Sequence, residues 1–222
     1  MTDGAATPRT YDNRGRTDQA HSNRRKVAAA AHRLFLSQGY AATTIAAIAR
    51  EAGVSAEMIY KSFGNKSAVA KTAYDVALAG DDEPIPMVQR PEFLAVLNAS
   101  SAEAKLRAHA ALARGISGRI GPLCAALLAA SHSGVDAGIA DFAPTVAGER
   151  LVGATLFVEH LVETNCLRSG LDHDKARDTI WTLNSPEVYQ LLVTERGWSL
   201  DAYEQWLAES LIAALAPHDN PS

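Results

Sequence analysis

Cysteine is scarce in this chain: only Cys124 and Cys166 carry a thiol among 222 residues. Two thiols set in apolar helical text cannot form a disulfide framework, and they read as core residues of a protein kept in a reducing compartment. Aromatic residues make up 6%, and no apolar run approaches the roughly 20 residues that span a bilayer. The first residues lack the apolar centre of a secretory leader, so a cytoplasmic chain is expected. Nothing alternates with the period of a strand. His and Cys are dispersed without metal-ligand spacing, and His173-Asp174 reads as a helix start. The run Gly64-Asn65-Lys66-Ser67 is like part of a phosphate loop, but the upstream glycine and preceding strand are missing. No nucleophile, base and orienter stand together. Enzymatic activity, a metal and a cofactor are therefore not expected.

What is present is helical periodicity, most informative over residues 43–66. Thr43 or Thr44 can cap a helix in which Ile45, Ile48, Ala49 and Ala52 recur at i, i+3, i+4 and i+7. Alanines at 46, 47 and 49 permit a close crossing by a second helix. Gly53 then stands where a helix closes in a left-handed residue. Ser55 is a good N-cap for the next helix, and Val54 can staple onto Ile59. In that helix Ile59 and Phe63 face inward, leaving Ala56, Glu57, Tyr60 and Lys61 outward. Two short helices joined at a glycine turn are a DNA-binding unit whose second helix enters the major groove. The same pattern also serves as plain structure in helical proteins. The competing reading is therefore an all-helical small-molecule-binding or catalytic protein whose helix-turn-helix is only structural.

Charge separates along the chain. Residues 1–80 hold eleven Lys or Arg against six Asp or Glu, whereas residues 81–222 hold ten against nineteen, giving the net charge of −4. A basic head on an acidic body directs positive potential toward a phosphate backbone.

Gly39-Tyr40, Thr43-Thr44-Ile45, Ile48-Ala49, Ala52-Gly53-Val54-Ser55, Tyr60, Phe63 and Lys66 together resemble the amino-terminal domain of TetR-type transcriptional regulators. The likeness covers roughly residues 24–78. The helix expected over 24–37, with Val27, Ala31, Leu34 and Phe35 on one face, matches the family as well. The resemblance implies an all-α protein: an N-terminal three-helix helix-turn-helix DNA-binding domain plus a larger C-terminal helical ligand-binding and dimerisation domain. It implies a homodimer on pseudo-palindromic double-stranded operator DNA, repressing transcription until a small-molecule effector binds the body. Such a protein is expected at the nucleoid. Glu57, Met58, Ser62 and Ser67 depart from the commonest family residues, as expected where members read different operators.

Roles for the head follow from chemistry and from the resemblance. Thr43 or Thr44, at a helix N-terminus, can offer hydroxyl and amide groups to a phosphate. Tyr60 and Lys66 match family positions that grip the DNA backbone, and Lys61 adds charge. Glu57 can accept from a cytosine amino group in the major groove, or it can simply suit the first turn of its helix. Ala56 and Met58 can touch thymine methyls. Ser55 caps the reading helix.

The expected division is a disordered basic tail over 1–22, the DNA-binding head over 23–66, a connecting helix over 67–80 and the body over 81–222. Arg9, Arg14 and Arg16 in the tail, with Arg24 and Arg25, can follow DNA or enter a minor groove, against the simpler reading of a solvated tail. Acids and prolines in residues 80–91 make a connector. Helices are then expected over 91–97, 102–119, 122–132, 135–167 (interrupted near Pro144), 174–183, 186–195 and 200–215. All three tryptophans fall in the last quarter, and the family's late helices place a dimer bundle on segments 174–184 and 200–215. For the effector, the polar or aromatic residues in apolar text are His109, Arg114, His132, Phe157, His160, Trp181, Asn184 and Tyr189, each also readable as an ordinary core or surface residue.

Overall fold

A computed structural model describes residues 14–134 and 136–217. The fold is all-α, with no strand among the described residues. Among the described residues ten α-helices follow in order: α1 Arg14–Ala42, α2 Ile45–Ala52, α3 Ala56–Phe63, α4 Lys66–Ala79, α5 Pro91–Asn98, α6 Ala102–His132, α7 Phe142–Glu163, α8 His173–Leu183, α9 Pro186–Tyr189 and α10 Leu200–Leu215. Helix α9 continues as a wider π-type coil over Gln190–Glu195.

The first helix begins about ten residues earlier than periodicity indicated. Residues 14–22 are helical rather than disordered, because a polar segment can extend a helix already nucleated by a packed one. Gln19 also donates to Asn23 one turn on, at 3.0 Å. Residues 1–13, including Arg9, lie outside the described residues. At its far end α1 breaks at Gly39, whose φ of 79° lies in a region costly for any side chain.

Local signals place the head helices. Thr44, Ser55 and Asn65 each accept from a first-turn amide of α2, α3 and α4. Gly53 closes α2 at φ 67° and returns its N–H to the helix. Ile45, Ile48, Ala49, Ala52 and Ile59 are buried, as their spacing required.

The body departs from expectation at two prolines. Segments 102–119 and 122–132 are one continuous helix, with Pro122 inside it. The carbonyl that Pro122 leaves unbonded belongs to Gly118, and both residues are exposed, so water can take it. Ile120, Leu123, Cys124 and Leu127 are buried across the same stretch and hold it helical from inside. Pro144 does not interrupt a helix either; it lies in the first turn of α7, where a missing N–H costs nothing.

One apolar cluster runs from Val27 and Phe35 of α1 through Ile59 of α3 and Tyr74 of α4 to Leu123 and Leu127 of α6. A second joins Leu106 of α6, Phe157 of α7, Ile180 of α8 and Tyr203 and Leu207 of α10. The carboxyl end of α4 is tied to the body by two arginines. Arg119 donates to the carbonyls of Ala77 and Leu78. Arg90 donates to that of Ala79 while pairing with Asp81 at 2.7 Å. Cations at the last turn of a helix suit its dipole.

Candidate nucleic-acid interface and interior cavity

The outer face of α3 presents Glu57, Tyr60 and Lys61, all exposed, at i, i+3 and i+4. Tyr60 is 57% exposed between the charged Glu57 and Lys61, so its ring and hydroxyl are open to a partner. Thr44 is exposed at the start of α2, with its oxygen accepting from Ala47 N at 3.1 Å. The hydroxyl proton stays available to a phosphate. Arg25, Lys26, Arg50 and Lys61 are exposed and have no ion-pair partner among the described residues. Of these, Arg50 and Lys26 carried no sequence signal beyond their charge.

Several expected contacts are otherwise engaged. Thr43 is 1% exposed; its hydroxyl donates to the Gly39 carbonyl at 2.8 Å and accepts from Gln38 at 3.2 Å, so it secures the break after α1. Ser55 is consumed as the α3 cap, accepting from Met58 N. Ala56 and Met58 are half-buried against the head core, and the Met58 sulfur accepts from Ser62 at 3.4 Å. Both sit deeper than an outward position implies, because an eight-residue helix packed through Ile59 turns its flanking positions partly inward. Lys66 reaches back: its ammonium donates to the Tyr40 carbonyl at 3.1 Å, sits 4.0 Å above the Tyr40 ring and pairs with Asp136 at 3.3 Å. Arg24 pairs with Asp82 at 3.0 Å.

Behind the head lies a cavity of about 830 Å³, within the range of small-molecule sites. Its wall combines residues of α1, α4, α5, α6, α7, α8 and α9 with the 81–90 connector. Five sequence candidates meet there: His109, Phe157, Trp181, Asn184 and Tyr189. The His109 ring stacks on Phe157 at 4.1 Å, nearly parallel, and burial holds its pKa down to about 4. The imidazole is thus neutral at pH 7. Its Nε2 lies 2.7 Å from the Asn184 amide nitrogen, while Asn184 Oδ1 is buried without a partner. Tyr189 packs its ring so closely over Gly121 that a Cβ there would stand 2.5 Å from it.

Three candidates lie elsewhere. Arg114 pairs with Asp201 at 2.6 Å and Glu204 at 3.3 Å on the α6–α10 seam. His132 is exposed at the end of α6. His160 contacts the buried Lys105 ammonium at 2.8 Å, and burial and that cation lower its pKa. Residues that sequence reading missed include Tyr74, Cys124 and Arg150. Burial pushes the Cys124 thiol up to about 12, an inert wall group rather than a nucleophile. For Arg150 a signal existed: Val146, Ala154 and Phe157 face inward on α7, and position 150 falls on the same stripe.

Residues 27–73 match the family model described as bacterial regulatory proteins, tetR family. The head of the chain is therefore a tetR-family domain, and the matched segment contains both helices of the reading head. The chain is a DNA-binding transcriptional regulator. No curated protein matches the sequence. Solved structures share the fold across nearly the whole chain. A TetR transcriptional regulator from Chloroflexus aurantiacus J-10-FL is 19% identical with a TM-score of 0.62, covering 90% of this chain and 98% of its own. The TetR regulator TylP from Streptomyces fradiae is 22% identical with a TM-score of 0.61, covering 90% and 88%. A Saccharomonospora viridis chain solved in complex with choline is 18% identical with a TM-score of 0.62, covering 88% and 98%. Among the described residues no helix is long and apolar enough to cross a membrane.

Proposed function

We propose that this tetR-family protein is a cytoplasmic repressor, released from its operator when a small molecule occupies the interior cavity. In this reading residues 23–66 read DNA, 67–80 couple head to body, and 81–222 hold the effector and the dimer contact. The observation that carries it is the double duty of α4. Its first turn, through Lys66, is fastened to Tyr40 and to Asp136 between α6 and α7, while Tyr74, Asp75 and Leu78 line the cavity. A ligand pressing on that wall acts on the helix that supports α2 and α3. Thr44, Tyr60, Lys61 and Arg50 grip phosphates, and Glu57 reads base edges, with Ala56 and Met58 beside it at the groove.

The dimer that a two-fold operator requires is better served by α7 than by segments 174–184 and 200–215. The apolar stripe of α10 is spent on the core through Tyr203, Leu207 and Leu211, and the exposed positions of α8 are polar. On α7, Leu151, Val152 and Leu156 are exposed, Val152 at 60%.

Selection of duplexes from a random pool by the purified protein supplies the operator. Fluorescence anisotropy on that duplex then measures affinity across salt. Binding of one dimer to a two-fold site, falling steeply as salt rises, is the expected result. Folded protein that enriches no sequence sinks the proposal.

A further inference from the structure

Arg150 breaks the pattern of its own helix. On the inner face of α7 it follows Val146 and precedes Ala154 and Phe157, all buried apolar residues, and it lines the cavity with them. A cation at such a position is costly unless paired. The other cations of the wall are paired: Lys71 with Asp75 and Glu149, Arg24 with Asp82, and Arg90 with Asp81. Among the described residues no carboxylate lies within ion-pair distance of Arg150. Its guanidinium donates to the Trp181 carbonyl and lies 5.1 Å from the Trp181 ring. One neutral acceptor leaves most of a five-donor fork unused. Such a fork matches a carboxylate in two parallel bonds.

From this we propose that the cavity takes an amphipathic monoanion: a mainly apolar or aromatic body with one acid group, bound bidentate to Arg150. The inference rests on the cavity being the effector site and adds the chemical class of what enters. Tyr74, Phe157 and Trp181 supply the apolar enclosure. Asn184 Oδ1, buried and unpartnered in the same wall, selects for a hydroxyl or N–H on the ligand body. A cationic ligand is disfavoured because Lys71 engages Asp75 and Glu149, Arg90 engages Asp81 and Arg24 engages Asp82, leaving only the exposed Glu83 of the described wall carboxylates outside an ion pair, whereas Arg150 repels a cation from within.

Isothermal titration of the full chain with decanoate, 1-decanol and decyltrimethylammonium tests this, since the three share one ten-carbon tail. Decanoate binds at least about tenfold more tightly than the other two, a difference of about 1.4 kcal/mol or more. Arg150→Gln abolishes that preference while leaving decanol within about twofold, and Arg150→Lys retains part of it. Ala113→Trp, which fills the cavity, removes binding of all three. Circular dichroism confirms that each variant is folded, and should Arg150→Gln not fold, the wild-type ranking and Arg150→Lys carry the test. Equal binding of alcohol and acid, tighter binding of the ammonium, decanoate binding that survives Ala113→Trp, or no binding at all overturns the proposal. A separate anisotropy titration on selected operator distinguishes the two readings. Decanoate binding through Arg150 with unchanged DNA affinity keeps the anion site but overturns its role as effector site.

Discussion

The reading head and the cavity are built by opposite means. In α2 and α3 each structural decision is made within a few residues: a capping hydroxyl, an apolar pair at i and i+4, a glycine past the last turn. The cavity has no local rule. His109 and Asn184 are 75 positions apart and meet because α6 packs against α9, which starts just after Asn184; Tyr74 joins them from α4. The head also spends its polar groups on its own shape, as Thr43 and Ser55 do, and keeps its outer charges exposed. The cavity does the reverse, enclosing polar groups whose partners are incomplete. Short-range consistency makes a rigid surface, and long-range packing leaves room for a guest.

Substitutions can break this contrast, beginning with the strongest. Ile59→Asp buries a carboxylate where the head core admits no partner. A loss of about 4 kcal/mol or more is expected, read as collapse of the head in thermal melts together with loss of operator binding. Survival of DNA binding would show that the head does not depend on its core.

In the body, pH is the lever. The folded pKa of His109 is held down to about 4, below an unfolded value of about 6.5. The unfolded chain therefore binds a proton that the folded one refuses, so stability falls as pH drops from about 6.5 to about 4 and levels off below. The loss attributable to this group is on the order of 3 kcal/mol. Urea melts of wild type and His109→Gln across that window should converge as pH falls; parallel curves would count against a neutral buried imidazole.

Gly121→Ala tests how tightly the cavity wall is set, because the new methyl meets the Tyr189 ring at 2.5 Å. A cost of about 1–3 kcal/mol is expected, with little change in operator affinity when no ligand is present. Ser55→Ala removes the α3 cap for about 1 kcal/mol, and here DNA affinity should fall with stability because the cap orients the reading helix. An equal effect of both substitutions on DNA binding would erase the distinction between the regions. The smallest stability effect is expected from Glu57→Ala, exposed and without a core contact, whose influence should appear in a repeated operator selection as relaxed preference at one base pair.

The head was legible to a degree the body was not. The caps Thr44 and Ser55, the buried stripe of Ile45, Ile48 and Ala52, and the outward Glu57, Tyr60 and Lys61 all follow from spacing. Misreadings arose where a residue had a distant alternative. Lys66 looked free for phosphate, but Tyr40 and Asp136 come close enough to hold it. Residues 120 and 121 looked like a break before a new helix at Pro122, but packing on both sides carried α6 through. Arg150 lay on an apolar stripe and drew no attention, since its significance is the carboxylate it lacks.

Sequence alone determined the all-helical class, the helix-turn-helix and its outward side chains, since capping and periodicity act through hydrogen bonds and contacts within four residues. Tertiary structure alone decided which polar groups are spent internally, which apolar face of the body stays exposed, and that the arginine on the inner stripe of α7 meets a cavity with no carboxylate in ion-pair reach among the described residues. Those outcomes depend on which side chains meet across helices far apart in the chain, and no spacing rule records that.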